Sequence, residues 1–207
     1  MNNISDAVIK RLPSYYRHLE KMLKEGITHI SSYDLGKRMG LTPSQIRQDI
    51  NIFGGAGRQG YGYPVQDLLE HIAKIIGITK TQNMIIIGAG NIGGAIVGYS
   101  SFIDSGFKTL AMFDVSEEKI GKKIKGVIVE PVSKLGEFLN NNDVKIAVIA
   151  CPENQAQSIA DILVSNNIKA IWNFAPIDLI LPDSVVCVNV HLSESLQQLS
   201  FRLNNLI

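Results

Sequence analysis

Apolar positions in the first eighty residues recur at helical spacing, whereas in the remainder they gather into short unbroken runs. Val8, Leu12, Tyr15, Leu19, Met22 and Leu23 mark one face of a first helix that Gly26 ends, with a restart expected at Pro13. Ser31 or Ser32 can cap a second, short helix that carries Leu35 and Met39 inward and stops at Gly40. Thr42-Pro43 opens a third, since Thr at the N-cap with Pro at the first helical position is a sharp start signal. Ile46 and Ile50 mark its buried face, which leaves Ser44, Gln45, Arg47 and Gln48 outward. Pro64 to Lys80 predicts one more helix, which links this module to the second one.

The second pattern begins at Asn83-Met-Ile-Ile-Ile87, a buried strand that runs into Gly88-Ala-Gly-Asn-Ile-Gly93 and then a helix. In a dinucleotide fingerprint Gly88 makes the tight turn, Gly90 lets backbone approach a pyrophosphate, and Gly93 lets helix pack on strand. A second strand, Thr109-Leu-Ala-Met-Phe-Asp114, ends in a carboxylate 21 residues after Gly93, close to the ~20 expected of a ribose-binding acid. The alternative is a glycine-rich turn that only packs and an acid that only caps. Val144 to Cys151, Ala170 to Phe174 and Val185 to Val190 are further strands, with a helix from Glu153 to about Asn166. Strands alternating with helices imply a parallel, Rossmann-like sheet, whose ligands sit outside the carboxyl ends of the strands. The turns at Cys151-Pro152 and Asn173-Phe-Ala-Pro176 fall there and either line the nicotinamide half of a dinucleotide or are ordinary loop punctuation. Asp114 would repel a 2′-phosphate, and Val115 and Ser116 bring no Arg, so NAD(H) is expected over NADP(H). Leu192, Leu196, Leu199, Leu203 and Leu206 then form a helical stripe with Phe201 beside it. That stripe either folds back on its own sheet or needs a partner.

Two short helices joined at Gly40 make a helix-turn-helix, whose second helix would lie in a major groove, where Arg and Gln pair with guanine and adenine edges. A three-helix bundle with a solvated polar face is the rival. The segment Phe53-Gly-Gly-Ala-Gly-Arg-Gln-Gly-Tyr-Gly-Tyr63 favours the first reading, because glycines, three aromatic rings and one cation suit a β-hairpin wing with Arg58 at its tip for a minor groove. The expected class is therefore α/β: a winged helix-turn-helix domain over 1–80, a Rossmann-like domain over 81–190 and a terminal helix over 191–207.

Charge sharpens this division. The chain of 207 residues carries a net +1, but residues 1–80 hold 11 Lys+Arg against 7 Asp+Glu and residues 81–207 hold 9 against 12. A basic module that precedes an acidic one is where a polyanion would dock. Cys151 and Cys187 lie in apolar runs without metal spacing and read as small buried hydrophobes. His18, His29, His71 and His191 do not cluster, and the first three read as surface or packing residues. No apolar run approaches the ~20 residues of a membrane span, and the start lacks a secretory pattern, so a cytoplasmic protein is expected. About 125 residues follow the start of the fingerprint's strand, enough for a nucleotide fold and too few for a substrate domain besides. Binding without turnover is the economical expectation, and no catalytic or metal-ligating residue is assigned.

The runs Lys10-Arg-Leu-Pro-Ser-Tyr-Tyr-Arg17, Ser31-Ser32, Leu35-Gly36, Gln45-Ile-Arg47, Phe53-Gly54, Gly60-Tyr-Gly-Tyr63, Gly88 to Gly93, Phe113-Asp114, Asn173 to Pro176 and Ser200-Phe201 come in an order that resembles the Rex family of redox-sensing transcriptional repressors. The resemblance spans essentially the whole chain. It implies a homodimer that exchanges the terminal helix between subunits, binds an inverted-repeat operator when apo or NAD⁺-bound, and releases it when NADH binds. Gly88, Ala89, Gly90, Asn91, Ile92, Gly93, Asp114, Val115, Cys151, Pro152 and Asn173, Phe174, Ala175, Pro176 are then the candidate NAD(H) contacts. Ser44, Gln45, Arg47, Gln48, Arg11, Arg58, Gln59, Gly60 and Tyr61 are the DNA candidates. The family also implies a Tyr after the fingerprint and an acid at the start of the terminal helix as parts of the switch. Tyr99 fits the first, while His191 stands where the acid would be. Two rivals stay open: a small NAD-dependent oxidoreductase with an assembly domain, and a DNA-binding sensor of a CoA derivative.

Overall fold

In the computed structural model, residues 4–54, 61–99, 102 and 105–206 are described. The chain divides into two compact units, Met1–Lys80 and Thr81–Ile207.

The first unit is helical. Helix α1 (Asp6–Lys24) runs through Pro13 without a break. Proline removes one i→i−4 bond there, but Val8 and Leu12 before it and Tyr15, Leu19 and Met22 after it are buried in one core, which holds both halves in line. After β1 (His29–Ile30), α2 (Ser32–Met39) starts at Ser31, whose hydroxyl accepts from the Asp34 N–H, and ends at Gly40 with φ +69°. Helix α3 (Pro43–Phe53) starts at Thr42, whose hydroxyl accepts from the Gln45 N–H. Gly36 permits the tight turn between α2 and α3: a Cβ there would lie 2.6 Å from the Leu41 carbonyl oxygen. Strand β2 (Tyr63–Pro64) pairs antiparallel with β1, and α4 (Val65–Ile76) follows. Phe53, expected in a wing, instead closes α3 and is buried edge-on against Tyr15, with ring centroids 5.5 Å apart. Arg58, Gln59 and Gly60 lie outside the described residues.

The second unit is a seven-stranded sheet of order β5-β6-β4-β3-β7-β8-β9. Its strands are β3 (Gln82–Ile87), β4 (Phe107–Asp114), β5 (Lys123–Ile124), β6 (Val127–Pro131), β7 (Ile146–Ile149), β8 (Ala170–Asn173) and β9 (Val186–Asn189). All neighbours are parallel except β5 with β6, a hairpin that the apolar pattern does not reveal. Alternation along β3 sends Ile85 and Ile87 to one face and Met84 and Ile86 to the other, and both faces are covered, so the strand reads as a continuous apolar run. Helices α6 (Leu135–Asn141) and α7 (Glu153–Ser165) bury Leu135, Leu139, Ile159 and Leu163 on the first face. Helix α5 (Asn91–Val97) buries Ile96 on the second. The terminal helix α8 (Leu192–Asn204) has no buried residue: Leu196 is 68% exposed and Phe201 70%.

Candidate functional site

The glycines of the loop after β3 differ in what surrounds them. Gly88 has φ +104°, and a Cβ on it would collide with the Ala150 carbonyl oxygen. On Gly93 a Cβ would collide with the Gly88 carbonyl oxygen, so the start of α5 presses directly on the turn. A Cβ on Gly90 would meet nothing within 4 Å. Gly90 thus faces open space, which is the room a pyrophosphate needs when backbone approaches it. That space belongs to a cavity of about 510 Å³, whose wall includes Gly88, Gly90, Asn91 and Ile92, Asp114 and Val115 at the end of β4, and Cys151 and Pro152 after β7. These lie at the carboxyl ends of three adjacent parallel strands, with β3 at the centre where strand order reverses.

Asp114 organises this wall. One carboxylate oxygen accepts from the Ala89 N–H at 2.7 Å and from Lys119 Nζ at 3.2 Å, and the other from the Ser116 N–H at 2.8 Å. Burial opposes the charged form, yet the hydrogen bonds from Ser116, Ala89 and Lys119 together hold the acid below the usual carboxylate value. Lys119 also lines the cavity. The spacing in sequence does not single it out, because it follows Asp114 by five residues on an irregular turn. Burial pushes the Cys151 thiol up, and the Asp114 charge adds to that, so the thiol stays protonated and poorly nucleophilic. The two cysteines are unbonded, and Cys187 is half-buried with its thiol raised by burial as well.

The turn after β8 serves the interior. Asn173, fully buried, donates to the Ile177 carbonyl at 2.7 Å and to Asn189 Oδ1 at 3.0 Å, and accepts from the Ala175 N–H. Its side-chain amide is therefore already engaged and the Ala175 methyl sits in the core, which leaves main-chain groups as what these two residues can present. Phe174 packs on Trp172, and Pro176 is exposed; neither lines the cavity. Tyr99, 59% exposed, heads a run of rings through Phe102 and Trp172 to Phe174. His191 Nε2 lies 3.4 Å from Asp178 Oδ1, which also accepts from Asn189 Nδ2.

In the helical unit, Ser44, Arg47 and Gln48 are exposed on α3 and Gln45 is half-buried. Arg47 donates to Ser32 Oγ at 3.1 Å, which steadies its guanidinium between α2 and α3. Tyr61 is 79% exposed. Arg11 departs from expectation. Its Nε and Nη2 donate to both oxygens of Asp49 at 2.8 and 2.7 Å, and Tyr15 Oη donates to the same buried carboxylate at 2.9 Å. Arg11 is thus a tie between α1 and α3 with its donors directed inward. Sequence reasoning missed Asp49, although its place three residues after Ile46 puts it on the inner face.

Among the described residues, no helix is long and apolar enough to cross a membrane and no His, Cys, Asp and Glu cluster could hold a metal.

A helix-turn-helix unit followed by a dinucleotide-fold unit with an open glycine cradle defines the class of DNA-binding proteins joined to a nucleotide-binding domain. Family models match both units: "Putative DNA-binding protein N-terminus" over residues 3–51 and "CoA binding domain" over residues 79–177. The chain is 54% identical over 97% of its length to the redox-sensing transcriptional repressor Rex of Caldanaerobacter subterraneus subsp. tengcongensis, covering 90% of that protein. To the Rex of Clostridium acetobutylicum it is 52% identical over 96% of its length, covering 92% of that protein. The crystal structure of RSP in complex with β-NAD⁺ and operator DNA superposes with a TM-score of 0.93 at 51% identity, covering 98% of this chain and 93% of that one. The complex of RSP with β-NADH superposes at 0.89 and 48%, covering 99% and 96%. The chain belongs to the Rex family of redox-sensing transcriptional repressors.

Proposed function

We propose that this chain is a homodimeric repressor that reads the NADH/NAD⁺ ratio, holding operator DNA in its apo and NAD⁺-bound forms and releasing it when NADH binds. The observation that carries the nucleotide half is the pairing of a glycine with open space before it, Gly90, and an ionised acid on the neighbouring strand, Asp114. The loop from Gly88 to Ile92 takes the pyrophosphate, Asp114 and Val115 the adenosine ribose, and Cys151 and Pro152 the adjoining wall. The turn from Phe174 to Pro176, at the carboxyl end of β8, takes the nicotinamide half through its main chain, and Tyr99 is the aromatic switch element.

For DNA, α3 enters a major groove and presents Arg47, Gln48, Ser44 and Gln45, while Tyr61 and the neighbouring Arg58, Gln59 and Gly60 follow the minor groove. A two-fold dimer places two such helices ~34 Å apart, which matches an inverted repeat. The exposed stripe on α8 is the surface that a second copy covers. The two cofactor forms differ by one hydride and the ring's positive charge, and a coupling of about 1–3 kcal/mol between nucleotide and operator suffices for a switch. The relatives are repressors, and we place this chain with them as a binder without turnover, working in the cytoplasm where the nucleotide pool and operator lie.

The test is a mobility shift of the full-length protein on its own upstream DNA at fixed salt, with NADH and NAD⁺ titrated separately. Release by micromolar NADH and not by NAD⁺ is the expected result, and Arg47→Ala abolishes the shift. Binding indifferent to both nucleotides overturns the sensor. If the protein binds no DNA but turns NADH over, the oxidoreductase stands instead.

A further inference from the structure

Building on that nucleotide site, we propose that Lys119 and Asp114 act as a donor-acceptor pair that reads the adenosine ribose diol, and that Lys119 sets how far the site tolerates a 2′-phosphate.

The Asp114 carboxylate is nearly saturated before any ligand arrives. A carboxylate offers about four lone-pair sites. On Asp114 one oxygen receives both the Ala89 N–H and Lys119 Nζ, and the other receives the Ser116 N–H, so one site is left, on the second oxygen. A cis-diol has two hydroxyls. Asp114 can accept from one of them, and the other needs a different partner. Lys119 supplies it: an ammonium has three donors, one is engaged by Asp114, and among the described residues it has no other hydrogen-bond partner. Its side chain is 41% exposed, against 10% for Asp114, and both line the cavity.

The backbone holds Lys119 in this place. The Asp114 carboxylate fixes the Ser116 N–H, the Lys119 and Ile120 N–H groups donate to the Ser116 carbonyl, and the Lys122 N–H donates to the Lys119 carbonyl. Gly121 N–H to the Val129 carbonyl and Val129 N–H to the Lys122 carbonyl stitch the turn to β6. The ammonium therefore approaches the carboxylate from a turn tied at both ends.

This pairing bears on which dinucleotide the site accepts. An acid alone excludes a 2′-phosphate by repulsion, and a nearby cation is what admits one. Here the pair is neutral in sum, so the preference for NADH rests on Asp114 holding Lys119. Once the acid is removed, the cation is free to meet a phosphate.

Calorimetric titration of NADH and NADPH into the full-length wild type, Lys119→Met, Asp114→Ser and the double variant tests this. Serine is chosen because its hydroxyl can still accept from a loop N–H, and thermal melts of each apo protein verify folding. Lys119→Met is expected to weaken NADH about tenfold, the size of one hydrogen bond to a charged group. Asp114→Ser should move the NADPH-to-NADH affinity ratio at least tenfold toward NADPH, and adding Lys119→Met should cancel that gain. If Lys119 only braces Asp114, the second substitution changes nothing once Asp114 is gone. That outcome, or NADH affinity within twofold of wild type for Lys119→Met, overturns the proposal. A wild type that binds neither nucleotide overturns the nucleotide site itself, which is a different result.

Discussion

Replacing Asp49 with alanine is the sharpest test of how the helical unit holds α3, the helix proposed to enter the major groove. Asp49 is 2% exposed, and its carboxylate receives two donors from Arg11 and one from Tyr15. The substitution leaves a phenol with no exposure and a guanidinium with 24% side-chain exposure facing an empty acceptor position. Removing one partner of a buried ion pair costs about 3–5 kcal/mol, and the water that still reaches Arg11 places this case at ~3 kcal/mol. A unit of 80 residues has about 4–12 kcal/mol to lose at typical stability per residue. At roughly 4–8 °C per kcal/mol for a domain of that size, the first unit should melt ~12–24 °C lower if it unfolds on its own. Scanning calorimetry of the full-length protein reads that transition, and Asp49→Asn, which keeps the shape and one acceptor, should lose less. A shift under about 4 °C would mean under ~1 kcal/mol and would refute the structural role. So would Arg11→Met lowering operator affinity with the melt unmoved, since Arg11 would then be a DNA contact after all.

Three further outcomes are expected from the geometry. Gly90→Ala should leave the melting temperature within about 1 °C, because its Cβ meets nothing, yet weaken NADH strongly in a titration; Gly93→Ala, whose Cβ would collide with the Gly88 carbonyl, should lower both. Leu196→Glu with Leu203→Glu should convert the proposed dimer to a monomer by light scattering, because the apolar stripe of α8 is exposed on one chain; a dimeric mass unchanged by the substitutions would show that the dimer forms elsewhere. Burial, and then the hydrogen bond to Asp49, push the Tyr15 phenol well above its usual value. Its stabilisation is whole below the unfolded-state value of ~10 and is lost as pH rises toward the folded value, so the wild type should lose stability faster than Tyr15→Phe between about pH 9 and 11 in denaturant titrations. Parallel curves would remove Tyr15 from the alkaline response.

The parts of this fold that can be read from sequence are those that obey a local rule. Thr42-Pro43 and Gly40 bracket the turn of the helix-turn-helix because cap and C′ positions are chosen by backbone geometry within four residues. Gly88 to Gly93 announce a dinucleotide loop because two close backbone approaches, at Gly88 and Gly93, and one glycine that faces open space, Gly90, fall within six residues. The β5–β6 hairpin escaped because Lys123–Ile124 and Val127–Pro131 are too short and too mixed to show a period. Phe53 reads as part of a wing because glycines come after it, when its ring belongs to the i, i+4, i+7 face set by Ile46 and Ile50.

What the sequence hid in the sites is of one kind: polar side chains whose partners come from elsewhere. Arg11 and Asp49 are 38 residues apart, Asn173 and Asn189 are 16 apart, and Lys119 reaches Asp114 only because the intervening turn folds back. Along a chain, an arginine that faces solvent and one that ties two helices look the same. The basic excess of residues 1–80 therefore overstates the field offered to DNA: Arg11 is neutralised by Asp49, and Arg38 donates to Glu25 at 2.8 Å, holding that acid below its usual value. Arg47 is different, because its partner Ser32 is neutral and leaves its charge whole. Its hydrogen bond orients the cation without cancelling it, which is what the base-reading role proposed for it requires, and this separates Arg47 from Arg11 and Arg38, whose charges are paired within the unit.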